Sequence, residues 1–178
     1  MAELLDRKGA PRERLTKCDS EVAIVSSATP NGDFLLTSRA TSLKRYCLPL
    51  LDQKLIVTYP SPLPAWLPAV VAKLDELGNL PSNWNSYGAD QIKRHCLFAA
   101  VQLMSAVMND DTPVPFIVPT NRGTVLLEWH KRGVDLEIDV LGQDRYYVTA
   151  EDESNGLFWE RDVSADLSAI VGMINRLS

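Results

Sequence analysis

The sequence predicts an α+β fold: an antiparallel β-meander of about five strands packed against two main helices, with an N-terminal β-rich extension. Three observations predict it. Five short apolar segments follow one another between residues 114 and 161, parted by turns rich in Asn, Gly and Arg, as hairpin-connected strands are. Two other segments, about 89 to 108 and 165 to 177, repeat their apolar residues at helical spacing. A chain of 178 residues that is 46% hydrophobic can bury a core of its own. The expected division is an extension over 1–60 and an α+β domain over 61–178, with the proline-rich PSPLPAW at 60–66 running extended between them.

The elements follow in order. Residues 21–27 (EVAIVSS) and 33–38 (DFLLTS) are β-like and flank Thr29-Pro30-Asn31-Gly32, a tight reversal, so a hairpin is expected. KLIVTY at 54–59 reads as a third strand. Pro68 suits the first turn of a short helix whose apolar residues are Val70, Val71, Leu74 and Leu77, with Gly78 placed to close it. In the helix expected over 89–108, Ile92, Cys96, Ala99, Ala100, Leu103, Met104 and Val107 form an apolar stripe, with Gln91, Arg94, His95, Gln102 and Ser105 opposite. Asn109-Asp110-Asp111-Thr112-Pro113 ends it. Strands are expected at 114–118, 124–130, 134–140, 144–150 and 156–161, with turns at Asn121-Arg122-Gly123, Arg132-Gly133, Gly142-Gln143 and Asn155-Gly156. A last helix over 165–177 takes Ser164 as its cap and Asp166 in its first turn, and sets Leu167, Ile170, Val171, Ile174 and Leu177 on one face.

One hairpin can be registered by arithmetic. If Arg132-Gly133 is a two-residue turn, opposed residues have numbers summing to 265: Trp129 faces Leu136, Leu127 faces Ile138 and Val125 faces Val140. A slip of one residue would set Trp129 against Asp135 and mix both faces. The same sum places His130 opposite Asp135, Glu128 opposite Glu137 and Leu126 opposite Asp139 on the other face. Glu128 against Glu137 is a like-charge pair, and such pairs are unfavourable. A face of this kind can be the wet side of a half-buried sheet, or a docking surface for a basic partner. A divalent-cation site is the third reading, but the stripe lacks the D-x-D-x-D-G loop of a dedicated calcium site.

Charge narrows the partner. The net formal charge is −5, and residues 134–178 hold ten acidic and three basic side chains, whereas residues 1–60 hold seven and nine. That balance argues against direct nucleic-acid binding and against anionic membranes, which require clustered Lys and Arg. No apolar run approaches the roughly 20 residues of a membrane span, and MAELLDRKGAPRERLTK has no signal-like apolar core, so the expected location is the cytoplasm. Cys18, Cys47 and Cys96 show no CxxC spacing, which leaves neither a disulfide framework nor a zinc knuckle in view.

Catalysis finds little support. The two histidines, His95 and His130, belong to no HExxH, GxSxG, phosphate-loop or dinucleotide motif. No catalytic residue, metal ligand or cofactor is assigned. The stretch Asn83-Trp84-Asn85-Ser86-Tyr87-Gly88-Ala89 sets two aromatics among turn-formers before the long helix. Its plain reading has Trp84 and Tyr87 packing over the sheet and helix start, with Asn85 or Ser86 bonding free amides and Gly88 supplying an unusual backbone conformation. Its functional reading is an aromatic rim for a small ligand, with Trp84, Asn85 and Tyr87 as binding residues.

Leu80-Pro81-x-x-Trp84-Asn85-Ser86-Tyr87-Gly88-Ala89, a helix, Pro113-x-Pro115-x-x-x-Pro119-Thr120-x-x-Gly123, Leu127-Glu128-Trp129 and Leu136-Glu137-Ile138 follow one another here. Over roughly residues 78–150 this resembles a group of uncharacterised bacterial proteins that carry W-D-G-Y-G-A, a proline-rich strand entry and an LEW strand. The resemblance implies the same architecture and a bacterial or phage origin. Asn85-Ser86 stands where the group has Asp-Gly, a change that a turn-capping role tolerates and a catalytic carboxylate would not.

The expected function is a noncatalytic interaction or regulatory module of antitoxin, immunity or defence-accessory type. It would bind a basic protein partner through Glu128, His130, Asp135, Glu137 and Asp139. The alternative is a small enzyme or ligand-binding domain with its pocket near Trp84, Tyr87, His130 and Glu128.

Overall fold

The computed structural model describes residues 21–25, 43–60 and 62–177. The described elements are β1 (Glu21–Val25), β2 (Leu43–Leu50), β3 (Gln53–Pro60), α1 (Trp66–Gly78), α2 (Arg94–Val107), β4 (Phe116–Pro119), β5 (Val125–Lys131), β6 (Val134–Gly142), β7 (Arg145–Asp152), β8 (Leu157–Val163) and α3 (Ser168–Leu177). The fold is α+β. Strands β4 to β8 form a five-stranded antiparallel sheet in sequence order, and a three-stranded sheet runs β1-β3-β2, with β1 parallel to β3. Among the described residues no helix is long and apolar enough to cross a membrane.

The register expected for β5 and β6 is the one observed: Trp129 faces Leu136, Leu127 faces Ile138 and Val125 faces Val140, with Arg132 and Gly133 both at positive φ in the turn. The energetics explain why it holds. Leu127, Leu136 and Ile138 are fully buried, each gaining roughly 1.5–3 kcal/mol from burial. A slip would expose all of them, a loss comparable with the whole stability of a domain, about 5–15 kcal/mol.

Helices α2 and α3 cover the apolar face of this sheet, and α1 packs between β2 on one side and α2 and β4 on the other. Leu50, Leu55, Val57 and Tyr59 of the small sheet join the same apolar cluster as Leu67, Leu74, Leu97, Leu127 and Ile174. The small sheet is tied on by polar contacts as well. Leu51, at φ +59 in the β2–β3 corner, donates its amide to the Asp75 carboxylate of α1, and Arg94 at the start of α2 reaches Asp52 at 2.6 Å. A Cβ on Gly78 would stand 2.5 Å from Leu51 Cδ2 and 2.7 Å from Leu97 Cδ1, so this residue lets three elements approach closely. The helix ends there with Asn79 in a right-handed conformation, so the glycine serves packing and not a left-handed cap.

Several expectations need correction. The turn at 29–32 and the strand at 33–38 lie outside the described residues, and β1 pairs with β3. Strand β2 was not read from the sequence, because Lys44, Arg45 and Pro49 break its pattern; on an edge strand a proline removes no needed ladder bond. Helix α2 starts at 94, not 89. Residues 89–93 instead bond to the β4–β5 turn, through the Asp90 amide to the Asn121 carbonyl and the Lys93 amide to the Gly123 carbonyl, both at 2.9 Å. The apolar stripe of α2 is buried as expected, but Leu97, Val101 and Ser105 are buried too, since α2 is packed on more than one side. Helix α3 starts at Ser168, and the Asp166 carboxylate accepts its amide; Asp166 therefore caps the helix in place of Ser164.

Two turns also differ. The β6–β7 corner is Gln143-Asp144, with Gly142 opposite Arg145, and a bulge between Val140 and Gly142 restores a register in which opposed numbers sum to 286. The β7–β8 loop covers Glu153–Gly156, four residues rather than two, and opposed numbers sum to 309.

Candidate functional site

The alternation of β5 and β6 buries Leu127, Trp129, Leu136 and Ile138 and turns Glu128, His130, Asp135 and Glu137 outward. Carrying the register across the whole sheet puts three rows on that outer face. One is Phe116, Glu128, Glu137, Thr149 and Glu160; the next is Val118, Leu126, Asp139, Tyr147 and Asp162; the last is His130, Asp135, Glu151 and Phe158. Seven of these side chains are carboxylates and none is Lys or Arg. Arg122 and Arg145 stand at one end of the face, in or beside the turns. Phe116 and Phe158 are 69% and 61% exposed, so the acidic field is flanked by apolar rings on its two edge strands.

Within this face Glu128 lies directly opposite Glu137. His130 lies opposite Asp135, and its Nδ1 is 2.6 Å from an Asp135 carboxylate oxygen. Tyr147 has its phenol pushed above the ordinary value by partial desolvation and then by the carboxylates of Glu160, to which it hydrogen-bonds, and Asp162.

Asp139 departs from the solvated surface expected of it. It is 6% exposed, accepts the Thr124 hydroxyl, and pairs with Arg122 Nη2 at 2.6 Å. Thr124 also exchanges a 2.6 Å hydroxyl contact with Thr120, so this carboxylate braces the β4–β5 turn. It is a turn strut whose charge is already met. Buried carboxylates are stable only in such company.

The stretch at 83–89 forms a self-bonded loop. The Asn83 amide donates to the Ala89 carbonyl at 2.7 Å, and the Gly88 amide to Asn83 Oδ1 at 2.6 Å. Asn85 Oδ1 accepts the amides of Tyr87 and Ala89, and its Nδ2 donates to Asn121 Oδ1 at 2.8 Å. Asn83, Ser86 and Gly88 all have positive φ. Asn85 therefore closes its own loop and does not cap α2. Trp84 is half-buried, but Tyr87 is 91% exposed and does not pack over the sheet.

The alternative pocket is not assembled. Asn85 holds its loop beside Asn121, which precedes β5, while His130 is near the other end of that strand. From Val125 to His130 the strand runs about 17 Å at the usual rise per residue. Trp84, Asn85 and Tyr87 thus make one feature, and Glu128, His130, Asp135 and Glu137 another. His95 is exposed, with its ring against Gly142. Cys96 is fully buried, which raises its thiol pKa, as fits a core residue; Cys47 is exposed.

Sequence reasoning missed Glu151, Glu160, Asp162 and the flanking aromatics. The signal was present in strand alternation, but the register needed to place it depends on the bulge and the four-residue loop. No family model matches the chain, and no curated protein or solved structure is significantly similar to it.

Proposed function

We propose that the protein is a noncatalytic interaction module that docks a basic protein partner on the outer face of its five-stranded sheet. The observation that carries this reading is the three-row face itself: six carboxylates besides Asp139, which Arg122 already neutralises, with Arg122 and Arg145 confined to one end and exposed Phe116 and Phe158 at the edges. Negative charges held on one rigid surface make the potential there strongly negative and steer a cationic partner. Aromatic rings beside them supply the apolar contact that gives an interface its residence time. The regulatory types that fit a charge-matched clamp are antitoxin, immunity and defence-accessory proteins of bacteria or phage, which also agrees with the W-x-x-Y-G-A resemblance. The contacting residues are Glu128, His130, Asp135, Glu137, Glu151 and Glu160, with Asp139 holding the turn behind them.

The test compares the native chain with an Asp135→Asn, Glu137→Gln, Glu151→Gln triple variant as bait for partners from its host. The expected result is a cationic partner retained by the native chain at low salt, lost at high salt, and lost by the variant in both. Retention that ignores salt and the triple variant, yet disappears with Trp84→Ala or Tyr87→Ala, would overturn this reading in favour of recognition at the 83–89 loop.

A further inference from the structure

We infer that Glu128, His130 and Glu137 form a binding site for a borderline first-row divalent cation of the Zn²⁺, Co²⁺, Mn²⁺ class, with Asp135 as the residue that orients the imidazole. One ligand atom from each of the three side chains lies within 4.8 Å of the other two. The scaffold makes this cluster reproducible: Glu128 and His130 are two residues apart on β5 and so share a face, and Glu137 is directly across from Glu128 on β6. Metal–ligand bonds of about 2.0–2.2 Å bring ligand atoms to roughly 3–4 Å of one another, which side-chain rotation reaches without moving the strands.

Two further features bear on the ligand. His130 Nδ1 is 2.6 Å from an Asp135 carboxylate oxygen, a partner that favours the tautomer in which Nδ1–H donates to Asp135 and Nε2 serves as the ligand atom. A carboxylate behind a histidine is the partner that metal-bound imidazoles use to fix tautomer and ring orientation. The opposed glutamates, unfavourable as a bare pair, become favourable once a cation lies between them. The donor set, two carboxylates and an imidazole, suits borderline divalent ions; it is too nitrogen-rich for Ca²⁺ and too hard for Cu⁺. Three protein ligands leave coordination positions for water or for a donor from a bound molecule. The site stands independently of any protein partner, although a bound ion would lower the negative charge of the face around it.

The test titrates chelator-treated protein with Co²⁺, followed by visible absorption, and with Zn²⁺, followed by calorimetry. One ion per chain is expected, with d–d bands and no intense thiolate-to-metal charge transfer. His130→Ala and Glu137→Gln should each abolish saturable binding, and Asp135→Asn should weaken it 10–100-fold. Glu151→Gln and Glu160→Gln, on the same face but outside the cluster, should leave it unchanged. The inference is overturned by non-saturable binding, by binding that survives His130→Ala, by equal losses in the two control variants, which would indicate diffuse attraction only, or by thiolate bands that locate the ion at a cysteine.

Discussion

Two substitutions that each delete one carboxylate charge from β6 should move stability in opposite directions. Glu137→Gln removes half of the like-charge pair with Glu128, and cross-strand pairs of this type are worth about 0.2–1 kcal/mol. The variant is expected to be more stable by a few tenths to about 1 kcal/mol. Asp139→Asn, two residues along the same strand, removes the partner of Arg122. A hydrogen bond between charged groups is worth about 1.5–3 kcal/mol when shielded, but the Arg122 side chain is 75% exposed and the Asp139 side chain 8%, which places the loss near about 1–2 kcal/mol. The Thr124 hydroxyl can still donate to the Asn oxygen, so the loss does not grow further. For a chain of this size about 1 kcal/mol corresponds to about 2–4 °C in Tm. Urea unfolding in the presence of a chelator, with thermal melts alongside, reads both variants. Destabilisation of equal size in the two, or stabilisation by Asp139→Asn, would refute the distinction between a solvated face charge and a charge committed to a turn.

Three other outcomes are expected. Gly123 has φ +73, and a Cβ there would meet the Gln91 carbonyl oxygen at 2.5 Å; Gly123→Ala should cost about 2–4 kcal/mol, and a thermal melt within a degree of the parent would show that the 89–93 crossing yields easily. Asn85→Ala removes the acceptor for two loop amides and a donor to Asn121, a loss of about 1–3 kcal/mol, while Asn85→Asp keeps the acceptor and should cost less; equal effects in the melts would contradict the loop-closing role. The Ser154 hydroxyl, then the Arg176 guanidinium, hold the Asp152 carboxyl below its usual range. Because the folded pKa lies below the unfolded value of about 3.9, this contribution is complete above that value and is lost as pH falls through the folded pKa. Asp152→Asn should therefore flatten the acid limb of the stability profile, read as urea midpoints at descending pH, and an unchanged limb would contradict it.

The sequence by itself determined the five-strand meander, the two covering helices and the β5–β6 register. These are short-range facts: alternation of Leu127, Trp129, Leu136 and Ile138 about a two-residue Arg-Gly turn leaves one register that buries every apolar side chain. It also assigned Glu128, His130, Asp135 and Glu137 to one outward face, which is where they stand. Only the tertiary structure decided the rest. Whether Asp139 is a surface charge depends on Arg122, seventeen residues earlier in the chain, folding back over it. The start of α2 depends on residues 89–93 finding hydrogen-bond partners in the turn at 121–123, a non-local competition that helical periodicity cannot register. Likewise Tyr87 points into solvent because Asn83 and Asn85 close their own loop before the helix begins. Periodicity reports which face a side chain takes, because that follows from the backbone repeat. What stands beside it is set by segments distant in sequence, and appears only when the chain has folded.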